Sequence, residues 1–144
     1  MNKAISWNKY FMELAKLSAQ RSKDPKTQVG ACFVDPEENH IVSIGYNGIP
    51  KGMPDSDVVW DDEQKHKYVV HAEANAILNT NQDLHGKKLY VTMFPCNECA
   101  KLIVQKGITE VIYLDSKYLE KESGSAAMTI FNAAGVEVLH YEED

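Results

Sequence analysis

At 144 residues, with 44% hydrophobic and 25% charged residues, the chain has the size of one domain and the composition of a soluble globular protein. Fifteen Lys and Arg against 21 Asp and Glu leave a net charge of −6, which argues against a protein that coats nucleic-acid backbones, and no apolar run approaches the ~18 residues of a membrane span. The opening MNKAISWNKY lacks the apolar stretch of a signal peptide, and three cysteines, Cys32, Cys96 and Cys99, fit a metal or redox site in a reducing cytoplasm better than a disulfide framework.

No repeat or low-complexity linker interrupts the chain, so one domain over residues 1–144 is expected. Ser6 is placed to cap a first helix, in which Trp7, Tyr10, Phe11, Leu14, Leu17 and Ser18 recur at helical spacing. That helix should stop before Asp24-Pro25. Residues Val29–Val34 read as a buried strand, Asp35–Asn39 as a turn, and Ile41–Tyr46 as the hairpin partner. From Asn47 to Val70 the Gly-, Pro- and Asp-rich sequence shows no regular pattern, and a loop of that length is commonly functional or a lid. Helices are then predicted at His71–Thr80, Asn97–Gln105 (stopped by Gly107) and Ser125–Ala134 (closed by Gly135). Strands are predicted at Leu89–Met93, Val111–Leu114 and Val136–His140. The hairpin is antiparallel, whereas strand–helix–strand crossovers favour parallel pairing. The expected fold is a three-layer α/β/α arrangement around a mixed five-stranded sheet.

Two short stretches carry the chemistry: His71-Ala72-Glu73, and Pro95-Cys96-Asn97-Glu98-Cys99 downstream, each where the chain passes into a helix. One imidazole and two thiolates suit Zn²⁺ and leave a fourth tetrahedral position for water. Helix N-termini favour thiolates there. Glu73, two residues beyond the ligand His71, is the proton acceptor that such a water needs. H-x-E…P-C-x-x-C is the signature of zinc nucleobase deaminases, in which the Glu carries a proton from water to the ring nitrogen and then to the departing ammonia. A closed structural site would need a fourth ligand from His66, His85 or Cys32. His66 and His85 read as surface residues, Cys32 as a small core hydrophobe.

Beyond these motifs, SAQRSKDPKTQVGA (18–31), GYNGIP (45–50), HAEANAIL (71–78), FPCNECAKLI (94–103) and DSKYLEK (115–121) stand in order. In these segments, most of its length, the chain resembles the deoxycytidylate (dCMP) deaminase family of the cytidine deaminase superfamily. The resemblance implies His71, Cys96 and Cys99 as zinc ligands and Glu73 as general acid/base. It also implies Asn47 as a contact to sugar or base; the alternative is a turn residue before Gly48. Arg21, Ser22 and Lys26 are expected at the 5′-phosphate, with Lys23 a weaker candidate and a solvated helix end the alternative. Tyr118 is expected to stack on the base or close the phosphate side. The family is often allosteric, activated by dCTP and inhibited by dTTP, and usually hexameric. The resemblance then assigns the effector contact to Gly45, Tyr46, Asn47 and Gly48 with the following loop, and Mg²⁺ to the triphosphate. The loop departs from many relatives by reading Met53-Pro54-Asp55-Ser56-Asp57 where they carry a cysteine, so no second zinc is expected. Glu142-Glu143-Asp144 reads as a solvated tail.

The resemblance implies hydrolytic deamination of dCMP to dUMP and ammonia, in supply of thymidylate. One alternative is a deaminase acting on a base within RNA or single-stranded DNA, which the missing basic, aromatic-lined stripe disfavours. The other is a non-catalytic zinc-stabilised binding module.

Overall fold

The computed structural model describes residues 2–57 and 60–143, the side chain of residue 57 excepted; of the long loop, residues 58 and 59 lie outside it, as does Asp144 of the acidic tail. Five strands, β1 (Gly30–Asp35), β2 (His40–Tyr46), β3 (Lys88–Met93), β4 (Glu110–Asp115) and β5 (Glu137–His140), form a sheet in the order β2-β1-β3-β4-β5. β1 is antiparallel to both β2 and β3, whereas β3, β4 and β5 are mutually parallel. Among the described residues five helices accompany it: α1 (Trp7–Ala19), α2 (Asp62–Lys65), α3 (Ala72–Leu78), α4 (Asn97–Gln105) and α5 (Glu122–Ala134). The mixed sheet and its crossovers match the sequence expectation.

The period of two along each strand sorts the core into two layers. Cys32, Val34, Tyr90 and Ile112 point to one face and pack on Phe11, Met12 and Ala15 of α1. Ala31, Phe33, Leu89, Val91, Val111 and Tyr113 point to the other, where Ala72 and Ala76 of α3, Ala100 and Ile103 of α4, and Ala127 and Phe131 of α5 cover them. Ser6 caps α1 as expected, its hydroxyl accepting from the Lys9 N–H at 3.1 Å. The buried stripe of α1, however, is Phe11, Met12, Ala15 and Ala19, while Trp7 and Leu17 are exposed. Gly30 explains the choice of small residues: a Cβ there would lie 1.8 Å from the Ala15 carbonyl oxygen, so helix and strand touch backbone to backbone.

Gly45 does the same on the opposite face. A Cβ at this position would lie 2.5 Å from the Ala76 nitrogen and 2.6 Å from the Ala72 oxygen. Its bareness therefore lets α3 rest on β2, and the Ser43 hydroxyl donates to the Ala76 carbonyl at 2.5 Å. α5 begins three residues earlier than predicted, at Glu122. Gly124, a weak helix former, sits there in a space where a Cβ would be 2.2 Å from the Tyr118 carbonyl. Glu143, read as solvated, pairs with Lys16 of α1.

The stretch expected to be irregular holds α2 and one 3₁₀ turn (Asp55–Asp57), and it is clipped to the segment after α1 by three reciprocal ion pairs. Lys23 pairs with Asp55, Lys26 with Asp62 at 2.5 Å, and Lys65 with Asp24 at 3.0 Å. The first two pairs are exposed, so solvent screens them. The third is buried, Asp24 and Lys65 each being 6% exposed.

Gly45→Ala is expected to cost about 1–3 kcal/mol through this backbone collision. Gly48→Ala, with nothing within 4 Å of the added carbon, should stay within about 0.5 kcal/mol of wild type; urea unfolding of both variants checks the contrast. A second expectation concerns pH. Burial pushes the Asp24 carboxyl up, but the Lys26 N–H, the Lys65 ammonium and the Thr27 N–H outweigh it and hold the group below its ordinary 3.8. A carboxyl depressed on folding contributes stability above its unfolded value and loses it as pH falls through the lower folded one. The stability gap between wild type and Asp24→Asn should therefore be wide near neutrality and shrink below pH 3.8. An equal gap at both ends of a pH series would count against it.

Candidate active site

β3 and β4 run parallel, so the turns that follow both strands emerge at one edge of the sheet, where ligands of such sheets bind. Because β1 is antiparallel to β3, the start of β1 and the end of β2 reach the same edge. Phe94 donates its N–H to the Asp115 carbonyl at 2.9 Å, extending the β3–β4 ladder to the rim. A cavity of about 520 Å³ opens there.

His71 is the N-cap residue of α3 and Cys96 that of α4, each extended and neither making a side-chain cap bond. Freed from capping, the imidazole turns to the sulfurs: His71 Nδ1 lies 3.4 Å from Cys96 Sγ and 3.3 Å from Cys99 Sγ. All three donor atoms fall within 4.8 Å of one another, and among the described residues no fourth His, Cys, Asp or Glu joins them. A tetrahedral zinc with bonds of about 2.1 Å to nitrogen and 2.3 Å to sulfur spaces its ligands roughly 3.6 Å apart, so the donor set fits that ion in chemistry and in span.

Electrostatics around the group follow from hydrogen bonding and burial. The Cys99 thiol donates to Cys96, which pulls the Cys96 thiol well below its usual range, with His71 adding to the effect, while Cys99 itself is pushed up as the partner that keeps its proton. Cys96 in turn raises His71. Glu73, in the first turn of α3, is 4% exposed, and burial pushes its carboxyl up to about 7. Cys32 lies in the α1 layer, fully buried, its thiol raised to about 12 by burial, far from ionising. His66 and His85 are both exposed and outside the donor group.

The cavity brings His71, Glu73 and Cys96 together with Lys26, Asn47 and Tyr118. Arg21 and Ser22 are not among its walls. Arg21 is exposed at the end of α1, and Ser22 is buried with its hydroxyl accepting from the Asp24 N–H at 3.3 Å. They precede the part of this segment that lines the cavity, which runs through Asp24, Lys26, Thr27 and Val29. Lys23 points to Asp55 instead. Asn47 is buried and partly committed: its amide donates to the Thr27 carbonyl and accepts from the Val29 N–H, both at 2.9 Å. Of the glycine stretch, Asn47 alone lines the cavity; Gly45 packs on α3, Gly48 bridges to Val70, and Tyr46 is at the half-exposed surface.

Several wall residues had no counterpart in the sequence reading. Lys117 and Lys121 line the cavity on either side of Tyr118, their ammonium groups 5.2 and 4.7 Å from its ring centroid. Their clustering at 117–121 was the available signal. Asp24 and Lys65 also line it; Asp24 reads in sequence as a helix stop before proline, and nothing local pairs it with a lysine 41 residues away.

Residues 5–115 match the family model described as the cytidine and deoxycytidylate deaminase zinc-binding region. Human deoxycytidylate deaminase is 52% identical over 139 residues, spanning 92% of this chain and 78% of that protein. A probable deoxycytidylate deaminase of Drosophila melanogaster is 52% identical over 145 residues, spanning 92% of this chain and 71% of that one. The structure of dCMP deaminase from the cyanophage S-TIM5 in complex with dCMP and dUMP superposes with a TM-score of 0.77 at 26% identity, covering 97% of this chain and all of that one. Matched along most of its length in sequence and in fold, and carrying the three zinc-type donors at one point, the chain belongs to the cytidine and deoxycytidylate deaminase family, on its deoxycytidylate deaminase branch.

Proposed function

We propose that the chain is a single zinc-dependent deaminase domain, residues 1–144, that hydrolyses dCMP to dUMP and ammonia. The observation that carries this is one cavity lined by the buried Glu73 and by His71 and Cys96, which with Cys99 behind them form the donor group, together with the cations of Lys26, Lys117 and Lys121. The first set suits an amine-bearing ring, the second a phosphate. The 52% identical relatives named deoxycytidylate deaminase support the same substrate.

Zinc held by His71, Cys96 and Cys99 supplies Lewis-acid activation of water. The remaining work falls to the chain. Glu73 takes one proton from the attacking water and delivers it to the ring nitrogen. It then passes the second to the exocyclic amine as the new carbon–oxygen bond stays and the carbon–nitrogen bond breaks. Water and dCMP thus balance dUMP and ammonia. Asn47 faces the sugar or base with the hydrogen-bonding capacity its backbone contacts leave over. Lys26 and Tyr118 take the phosphate side, joined by Lys117 and Lys121, while Arg21 and Ser22 lie outside the cavity wall.

Regulation by dCTP and dTTP, with Mg²⁺ on the triphosphate, belongs to the same proposal at the Gly45–Gly48 stretch. Asn75 of α3 donates to the Tyr46 carbonyl at 2.8 Å, so a contact there bears on the helix that begins with His71. Assembly as a homo-oligomer, a hexamer favoured, is supported by the exposure of large apolar side chains in and before α1, Ile5, Trp7 and Leu17. Three free cysteines are consistent with a cytoplasmic site of action.

Wild-type rates across dCMP, CMP, dCTP, deoxycytidine and an oligonucleotide test the substrate. Turnover of free dCMP is expected, and activity confined to the oligonucleotide would overturn the proposal. Glu73→Ala should lower dCMP turnover by roughly 10²–10⁴ while zinc content, read by elemental analysis, stays at the wild-type level. Full turnover in that variant would remove Glu73 from its role, and a wild type inert on every nucleotide would favour a binding module.

A further inference from the structure

Asp24 and Lys65 form a buried ion pair in the cavity wall that the chemistry above leaves unused. Lys65 Nζ lies 3.1 and 3.0 Å from the two Asp24 carboxylate oxygens, and both residues line the cavity. Taking two charges out of water is costly, and such pairs are poor stabilisers compared with apolar packing of the same volume. A buried pair at this place therefore calls for a role other than holding the fold together.

Its connections supply one. Asp24 Oδ1 also accepts the N–H groups of Lys26 at 2.9 Å and Thr27 at 3.2 Å, which fixes the turn from which Lys26 projects. The Thr27 carbonyl receives the Asn47 amide, so the same carboxylate orders the backbone that orients Asn47. On the other side, the Lys65 carbonyl accepts the N–H groups of Tyr68 and Val69, and Val70 bridges to Gly48 one residue before His71. Two walls, residues 24–29 and 65–71, meet directly at this contact, the buried member of the three ion pairs that clip their segments together. Asp62 adds a more distant carboxylate, 3.7 Å from Lys65, while turning its other oxygen to Lys26.

We infer that Asp24 and Lys65 are a positioning pair for nucleotide binding: together they set the spacing between the wall bearing Lys26 and Asn47 and the wall leading into His71. This deepens, and rests on, the assignment of dCMP as substrate. Neither residue meets the reacting atoms, so the pair governs KM and leaves kcat to Glu73 and the metal donors. A merely structural pair would shift stability and zinc loading with no such split.

The test uses the full zinc-loaded chain with dCMP kinetics, dUMP equilibrium binding and zinc content on each variant. Asp24→Asn and Lys65→Met should each raise KM and the dUMP dissociation constant about tenfold, with kcat and zinc content near wild type, the pattern of lost uniform binding. Lys65→Arg, which keeps the charge, should recover most of the loss. The Asp24→Asn/Lys65→Met double variant, free of an unpaired buried charge, should be no worse than either single change and carries the test if a single variant fails to fold. Unchanged KM in the variants, loss of kcat in step with zinc, or a penalty in Lys65→Met with none in Asp24→Asn (a direct ligand contact by Lys65) would each overturn the inference. A wild type that neither binds dUMP nor turns over dCMP would overturn the substrate assignment and the inference with it, whereas an active wild type indifferent to all four changes overturns the inference alone.

Discussion

The convergence of two sulfurs on one imidazole nitrogen, at 3.4 and 3.3 Å, at the points where α3 and α4 begin, is the constraint on which the remaining structure depends. Two helix N-termini must meet side by side on one face of the sheet, and both must arrive without using their first residue as a cap. Small residues make that approach possible. Ala72 and Ala76 of α3 and Ala100 of α4 are fully buried, and Gly45 clears the strand beneath α3. The same closeness buries Glu73. Its carboxyl, on the second residue of α3 and in contact with Cys99, stands beside the donor group, with the positive end of the helix dipole close to both.

Charge is distributed against the overall balance of the protein. A chain with a net charge of −6 gathers Lys26, Lys65, Lys117 and Lys121 around one cavity. Two of these cations are answered by carboxylates from across the loop, Lys26 by Asp62 and Lys65 by Asp24. Lys117 and Lys121 lie over the Tyr118 ring instead. An anionic ligand therefore meets two cations softened by aromatic contact and one shared with an exposed carboxylate, an arrangement that leaves affinity to be set by small shifts in the wall. The buried pair differs in kind from the exposed ones. Desolvation makes it intolerant of losing either partner, so it transmits position where the surface pairs transmit little.

Local features were legible in the sequence. The donor residues, the Ser6 cap, the Gly135 stop and the strand alternation follow from side-chain chemistry within a few residues, and the parallel half of the sheet follows from its helical crossovers. Features set by contacts between distant segments were not. The buried stripe of α1 could not be told from its exposed side, because Trp7 and Leu17 sit on the same helical period as Phe11 and Leu14. The choice was made by Gly30, which admits the backbone at Ala15. α2 is four residues long, too short to show periodicity, and its Lys65 finds a partner 41 residues back. Arg21, Ser22 and Lys26 read as one island of cationic and hydroxyl donors, and of the three the fold brings only Lys26 into the cavity wall.

The division of labour between motif and frame follows from these facts. His71, Glu73, Cys96 and Cys99 define a reaction type, and they are set by two helix beginnings at one edge of the sheet. The choice of ligand must then lie in the walls that admit it. Here those walls come from the turn after α1, the end of β2, the stretch through α2 and the rim beyond β4, of which the first three are joined by Asn47, by the Gly48–Val70 bridge and by the Asp24–Lys65 pair. A loop edge held by a few polar contacts can be rebuilt without disturbing the sheet that sets the metal donors. Selectivity and catalysis are thereby separable in this fold, with the first lodged in long-range polar contacts and the second in two helix beginnings.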